Sequence, residues 1–511
     1  MLTMKTINLT RLLPFFSIII FIAAGCSKSS ESVVTTPPPP PANPVIKPNQ
    51  LFFGLTANNQ LARFNANASA VAISSVAITG MQSGEKMLGI DFRPATGQLY
   101  GVGSLDRLYV INTTTGVARA VGAPFTPGIA GTVVGFDFNP TVDRIRLVTD
   151  ATINLRLNPE TGAVAAVDGN INPATRITGA AYTNSFAGTA TTTLYDTDGF
   201  TLFKQDPPNN GTLVAVGNLG VYGLGGADFD ISPDNKTALA PLTVGGVCSL
   251  YQLDLNTGAA TNLGQLAASV ISIAIPTNPV AYSTDDANNL LIFDLVRPGT
   301  LVTKAITGLQ PGENVLGIDM RPATGQLFAL GSTSRIYAIN MSSGAATAIG
   351  AGPFTPALTG TSFGFDFNPT VDRIRVVSNT GQNLRLDPNT GLAAANDGTL
   401  NPGTPAISAA GYTNSFAGTT TTSLFVIDAT TDKLYLQNPP NAGTLVEIGS
   451  LGVNITAANG FDIGGTSNLA YALLTVGTTT RIYQINLTTG AAIAVDSFTG
   501  LAGGFAVGLG F

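Results

Sequence analysis

The body of this 511-residue chain is written twice, and each copy carries a shorter period inside it, a double repetition that leaves few folds open. Leu88-Gly-Ile-Asp-Phe-Arg-Pro-Ala-Thr-Gly-Gln-Leu-Tyr100 returns at 316–328 with two changes, Phe92 to Met320 and Tyr100 to Phe328. Gly135-Phe-Asp-Phe-Asn-Pro-Thr-Val-Asp-Arg-Ile-Arg146 returns letter for letter at 364–375, and Tyr182-Thr-Asn-Ser-Phe-Ala-Gly188 at 412–418. The offset between copies stays between 228 and 232, which divides the body into residues 50–277 and 278–511. Within each half an alternating apolar run ends on Asn or Asp and a turn follows. The marks are Asn65, Asn112, Asn158, Asp206 and Asp254, then Asp294, Asn340, Asp387, Asn438 and Asn486. Their spacing of 46 to 51 residues is the length of a four-stranded propeller blade.

The chain is therefore expected to be all-β, a β-propeller. One unit predicts strands over 88–92, 98–102, 107–111 and 117–121, from inner to outer, joined by turns such as Asn112-Thr-Thr-Thr-Gly116. Helical periodicity is absent from the body, and its 58 glycines are scattered as helices would not tolerate. The first unit of each half, at Leu51 and at Val280, lacks an inner strand, while each half ends on a spare one, 270–275 and 505–511. Completing one blade with strands from both ends removes the unpaired edges. Two tandem five-bladed propellers satisfy that closure, and so does one ten-bladed ring. The halves resemble each other more than their blades do, so two propellers are expected, with the single ring, which the short junction Pro276-Thr-Asn-Pro279 would suit, as the alternative.

Residues 1–26 read as a lipoprotein signal peptide. Lys5 and Arg11 precede an apolar run over 12–24, broken by Pro14 and Ser17, and Gly25-Cys26 follows. That run is shorter than the roughly 20 residues of a membrane-spanning helix. Ala23-Ala24-Gly25-Cys26 resembles the bacterial lipobox with Ala in place of the usual first Leu, making Cys26 the expected lipidation site; a plain secretory signal cut near Ala24 is the alternative. Residues 27–49 form a Pro/Ser/Thr-rich linker with five prolines in a row from Pro37 to Pro41. In polyproline II geometry, at about 3.1 Å per residue, the segment 35–46 would hold the body about 35 Å from the lipid. The expected location is extracytoplasmic, anchored to the outer membrane through the N-terminal lipid.

Composition removes whole classes of chemistry. No His occurs anywhere, which excludes Ser-His-Asp and Cys-His catalysis and every histidine-ligated metal site. No Trp occurs either, so a glycan-binding site would have to stack sugars on Tyr or Phe. Cys248 is the one cysteine of the body, so burial and not a disulfide must stabilise it. A net charge of −6 over 511 residues offers no basic patch, and nucleic acid is not an expected partner. No cofactor or metal is expected.

Three constellations remain. The inner strands carry Asp91 with Arg93, Asp137 with Asn139, and Asp228 with Asp230, then Asp319 with Arg321 and Asp366 with Asn368. They could line a channel for a ligand or cation; buried bonding to neighbouring blades is the structural alternative and the favoured one. The second set is Asp143, Arg144, Arg146 and Arg156, with Asp372, Arg373, Arg375 and Arg385 in the other copy. Guanidinium groups this close need an anion between them, either a ligand carboxylate or phosphate, or, as favoured here, Asp137 or Asp143. Asp196-Thr-Asp198-Gly199 has the opening spacing of a calcium loop, but the other copy has Val426-Ile-Asp428-Ala429 and a turn is the better account.

The long motifs at 88–100 and 135–146 resemble the bacterial family called domain of unknown function 4394 over nearly the whole body. That resemblance implies an extracytoplasmic propeller-like domain of about 230 residues and no assigned activity, so no functional residue carries over. The function expected is non-enzymatic binding or scaffolding at the cell envelope, with an envelope protein or glycan as ligand at a channel mouth or on the blade loops. The rival is a hydrolase or lyase using channel Asp, Tyr and Arg.

Overall fold

Short alternating segments bounded by Asn, Asp and Gly build strands. The computed structural model describes residues 45–222, 228–299, 301–500 and 503–511, and there the chain is all-β, ten antiparallel sheets of four strands. Residues 1–44 lie outside the described residues, and with them the signal segment, Cys26 and most of the linker. Helical geometry among the described residues is limited to the 3-10 turns Ala66–Ala68, Pro208–Asn210 and Pro440–Ala442, and none is long and apolar enough to cross a membrane.

The unit read above as four strands is found as Met87–Phe92, Leu99–Gly103, Arg107–Ile111 and Ala118–Val121, hydrogen-bonded in that order. Its third turn shows why Asn marks the period. Asn112 Oδ1 accepts the N–H groups of Thr114 and Thr115 at 3.0 and 2.9 Å, and Gly116, at φ 74°, closes the loop onto Asn112 O at 2.8 Å.

One strand of each sheet leads the other three. In the first half the leading strands are Met87–Phe92, Val134–Asn139, Gly179–Tyr182, Asp230–Ile231 and Val270–Ala274. In the second they are Val315–Arg321, Phe363–Asn368, Ile407–Tyr412, Ala457–Ile463 and Phe505–Val507. The strand that completes each half's first sheet comes from the end of the same half. Leu51–Thr56 pairs with Val270–Ala274, and Val280–Thr284 with Phe505–Val507.

Both faces of a sheet are apolar because each is covered by the next sheet. Tyr100, Val102 and Leu108 of one pack on Phe136, Phe138 and Leu147 of its successor. The first sheet also meets the fifth, through Phe52, Phe64 and Ile273 against Leu239 and Leu250, and Ala281, Leu291 and Phe293 repeat that contact with Leu473 and Ile482. Close approach between leading strands requires glycine at Gly135, where a Cβ would stand 2.6 Å from Ala180 N, and at Gly364, where it would stand 2.8 Å from Ala410 N. Residues 47–511 form one compact unit, and the halves touch at the Pro94-Ala-Thr-Gly97 turn. There Tyr282 Oη donates to Ala95 O at 2.9 Å, Gly510 N–H to Thr96 O at 2.9 Å, and Arg93 Nη1 to Gly325 O at 3.2 Å.

Candidate functional site

The leading strands carry the acids singled out by sequence, and each acid binds the backbone of a neighbouring leading strand. Asp91 Oδ2 accepts Phe138 N–H at 2.8 Å, Asp137 Oδ1 accepts Tyr182 N–H at 3.0 Å, and Asp228 Oδ1 accepts Ala180 N–H at 3.2 Å. Asp230 Oδ2 accepts Ile275 N–H at 2.5 Å, and Ser272 Oγ accepts Ile90 N–H at 3.1 Å while donating to Asp228 Oδ2 at 2.9 Å. The second half repeats three of these links: Asp319 Oδ2 to Phe367 N–H at 2.7 Å, Asp366 Oδ1 to Tyr412 N–H at 3.0 Å, and Asp462 Oδ2 to Val507 N–H at 2.6 Å.

These side chains are also close to one another. Asp91, Asp137 and Asp230 each place a carboxylate oxygen within 4.8 Å of the other two, and Asp319, Asp366 and Asp462 do the same. Burial, reinforced by mutual repulsion, raises Asp91, Asp137, Asp319 and Asp366 well above the ordinary carboxylate range; burial raises Asp230 and Asp462 to about 7. Three carboxyls this close and this dry share protons at neutral pH. A hard cation between them would have to win oxygens already taken by backbone N–H groups, since Asp91, Asp230, Asp319 and Asp462 use both of theirs.

The arginines are partnered as well, though not as expected. Arg146 pairs with neither Asp137 nor Asp143: it reaches Asp168 at 2.7 Å, Asn154 at 2.6 Å, Asn209 at 2.8 Å and Tyr182 Oη at 3.3 Å. Arg156 grips the same Asp168 with two bonds, at 2.8 and 2.9 Å. Asp168 is thus the anion between the two guanidinium groups; burial works against its charge, but bonds from Arg156 and Arg146 hold its pKa below the usual value. Arg375, Arg385 and Asp397 reproduce the arrangement. Asp143, at φ 51° in its turn, is the partner of Arg93, and Asp372 that of Arg321. Arg144 and Arg373 fold back onto the carbonyls of Asp143 and Asp372, and Asn139 and Asn368 cap the following Thr141 and Thr370 N–H groups.

Asp198 makes the expected turn, taking Phe200 and Thr201 N–H at 2.8 and 2.7 Å. Asp196, two residues earlier, is fully buried, and neither of its oxygens has a partner among the described residues. Burial pushes its pKa up to about 8 against a downward pull from Arg146. The sequence offers Asp196 only as the opening oxygen of a calcium-like turn, and it has no motif that marks Asp168, Asp397 or Asp462. The substitution of Val426 in the other copy was the signal that position 196 is core.

Open space lies away from the acid trios. In the second half a hollow of about 340 Å³ sits where the leading strands begin, lined by Asp286, Asn314, Ser362, Phe363, Ser408 and Asn459 among others. Between it and the trio the space narrows to about 10 Å³ beside Gly317, Gly364 and Gly460. A larger and more apolar hollow of about 480 Å³ lies between the halves, bounded by Leu99, Val110, Ile111, Phe416 and Leu509.

Two stretches, residues 60–274 and 289–506, match one family model, described as Domain of unknown function (DUF4394). No curated protein sequence matches the chain. Among solved structures, the extracellular domain of a candidate one-component system from B. thetaiotaomicron matches at 11% identity and a TM-score of 0.27 over 89% of this chain, which spans 66% of that one. A likeness that slight carries no inference about this chain.

Proposed function

The chain belongs to the DUF4394 family in two tandem copies, and from that premise we propose that it is a non-enzymatic binding protein of the bacterial cell envelope, each half closing as a five-bladed propeller. The strand pairings support that architecture. A ten-bladed ring would pair the last strand of the first half with Val280–Thr284, whereas each half's first sheet takes its fourth strand from its own end. Contacts between the first and fifth sheets of each half agree with closure.

The observation that carries the binding reading is the engagement of the chemically capable groups. The inner acids bond the backbone of adjacent strands, Arg93, Arg146, Arg321 and Arg375 are paired with Asp143, Asp168, Asp372 and Asp397, and the unpartnered Asp196 is fully buried, so these groups are turned to the chain itself and line none of the hollows described above. Accessible hollows instead lie where blades begin and where halves meet. Lipidation of Cys26 and the proline linker would hold this surface away from the outer membrane.

Two experiments test the reading. Purified full-length chain probed against envelope proteins and arrayed envelope glycans is expected to bind one of them saturably. An empty screen, together with turnover of some substrate that Asp137→Asn and Asp366→Asn abolish in a folded protein, would replace binding with catalysis. Cys26→Ser is expected to move the body from the membrane fraction to the soluble one; a variant that stays with the membrane refutes the lipid anchor.

A further inference from the structure

The two halves share a scaffold but not the lining where their leading strands begin, and the difference has a chemical direction. Counting from the motifs shared by the halves, Asp286, Asn314, Ser362, Phe363 and Ser408 occupy the places held in the first half by Ala57, Lys86, Val133, Val134 and Thr178. The second half has lost a cation and gained a carboxylate, an amide and a hydroxyl around its hollow of about 340 Å³.

Ser408 is the telling residue. It is 6% exposed, it lines the hollow, and its Oγ has no hydrogen-bond partner among the described residues. Its counterpart Thr178 is satisfied, donating to Thr197 O at 3.2 Å. An unpaired buried hydroxyl costs about 1–3 kcal/mol, and because Ser408 lines the hollow a water or a ligand there can supply the partner that the chain does not. Nearby, Asn459 Nδ2 donates to Thr475 Oγ1 at 2.8 Å, which leaves its carbonyl oxygen as an acceptor. Asp285 is occupied by the N–H groups of Ala287 and Asn289, so the exposed Asp286 is the carboxylate with capacity to spare.

We propose that this hollow of the second half binds a neutral, hydroxyl-rich small molecule the size of a single sugar. The inference rests on the binding reading above and names its ligand class. No Lys or Arg lines the hollow, which argues against an anion. Its deepest unpaired group is a hydroxyl and its carboxylate is at the exposed rim, so the buried end suits an uncharged hydroxyl better than a desolvated ammonium. Phe363 and Val315 offer an apolar wall for the C–H face of a sugar ring, and the volume lies at the small end of the roughly 300–1,000 Å³ range of ligand sites.

The test is titration calorimetry and saturation-transfer NMR on the full chain with glucose, galactose, mannose and N-acetylglucosamine, and with putrescine as a cationic probe. At least one sugar is expected to bind with a Kd of about 1 mM or tighter. Ser408→Val and Asn459→Leu should weaken it at least tenfold, while Thr178→Val at the matching place of the first half leaves it unchanged. Asp286→Ala, on the exposed rim, serves where a buried variant fails to fold and should also weaken binding. No binding by any of the four sugars, binding that survives these variants, or binding of putrescine alone overturns the proposal. If Ser408→Val still engages an envelope partner with full affinity while no sugar binds, this site falls and the broader binding reading stands.

Discussion

At the scale of single residues, position 196 records a conflict that the duplicated half resolves. Asp196 pairs with Ala180 in its sheet as Val426 pairs with Ala410, so the two occupy one structural site with opposite chemistry. With a folded pKa of about 8 against 3.8 for the free side chain, Asp196 folds as a neutral acid. Its contribution is therefore intact below about pH 4 and declines as the pH rises through 8, where folding must bury the charge. Asp196→Val should stabilise the protein more at pH 9 than at pH 5, by an added amount of about 4 kcal/mol as an upper bound. Urea unfolding of both proteins at the two pH values measures it, and an equal gain at each pH would show that the acid is not buried as described. The opposite outcome is expected at Arg146, which is 1% exposed and holds Asp168, Asn154 and Asn209 together. Arg146→Met leaves Asp168 with Arg156 alone and should cost roughly 3–5 kcal/mol. Adding Asp168→Asn should recover part of that loss, a coupling that a double-mutant cycle reads directly.

Between residues and the whole, the unit is the leading strand and the glycine that lets its neighbour approach. Gly135→Ala forces a Cβ to within 2.6 Å of Ala180 N, a backbone atom that cannot rotate away, and should destabilise by about 1–3 kcal/mol or more. Gly352, with open space where its Cβ would lie, is the control, and Gly352→Ala should be neutral or slightly stabilising. Equal melting temperatures for the two variants would mean that the strands are not in that contact. Much of this element level was readable in advance because it is written locally. Apolar alternation and the Asn and Asp turns lie within a few residues of each other, so the strands of the second sheet fell within a residue of expectation. Partner choice was not local. Asp168 lies 12 residues from Arg156 and 22 from Arg146, on a segment with no motif of its own, and only the folded register brings the three together. The hollow beside Ser408 was invisible for a related reason: its lining comes from positions where the halves differ, whereas repeat analysis attends to positions where they agree.

For the molecule as a whole, the question is how strongly two closed units depend on one another. Each half pairs its own first and last strands and has its own buried clusters, so each contains what a domain needs. The Pro94-Ala-Thr-Gly97 turn joins them together with a hydrogen bond from Gln326 Nε2 to Glu160 Oε2 at 3.0 Å and the packing of Ala187 on the second half's core, and the burial of the arginine before that turn shows the asymmetry this creates. The Arg93 side chain is fully buried against the other half, whereas Arg321, on the equivalent turn, keeps 10% of its surface. Tyr282 and Phe511 are the other anchors, the first donating to Ala95 O and the second lying where a Cβ on Gly97 would be 2.3 Å from its ring. Tyr282→Phe removes only the hydroxyl that reaches Ala95 and keeps the strand pairing and core packing of the ring, and Phe511 is the chain's last residue, so the two changes should lower the coupling between halves more than the stability of either. Tyr282→Phe with Phe511→Ala is therefore expected to turn one calorimetric unfolding transition into two, since separately stable units lose cooperativity when the contact between them weakens. A single transition that merely moves to lower temperature would mean that the halves share more of their stability than this interface carries.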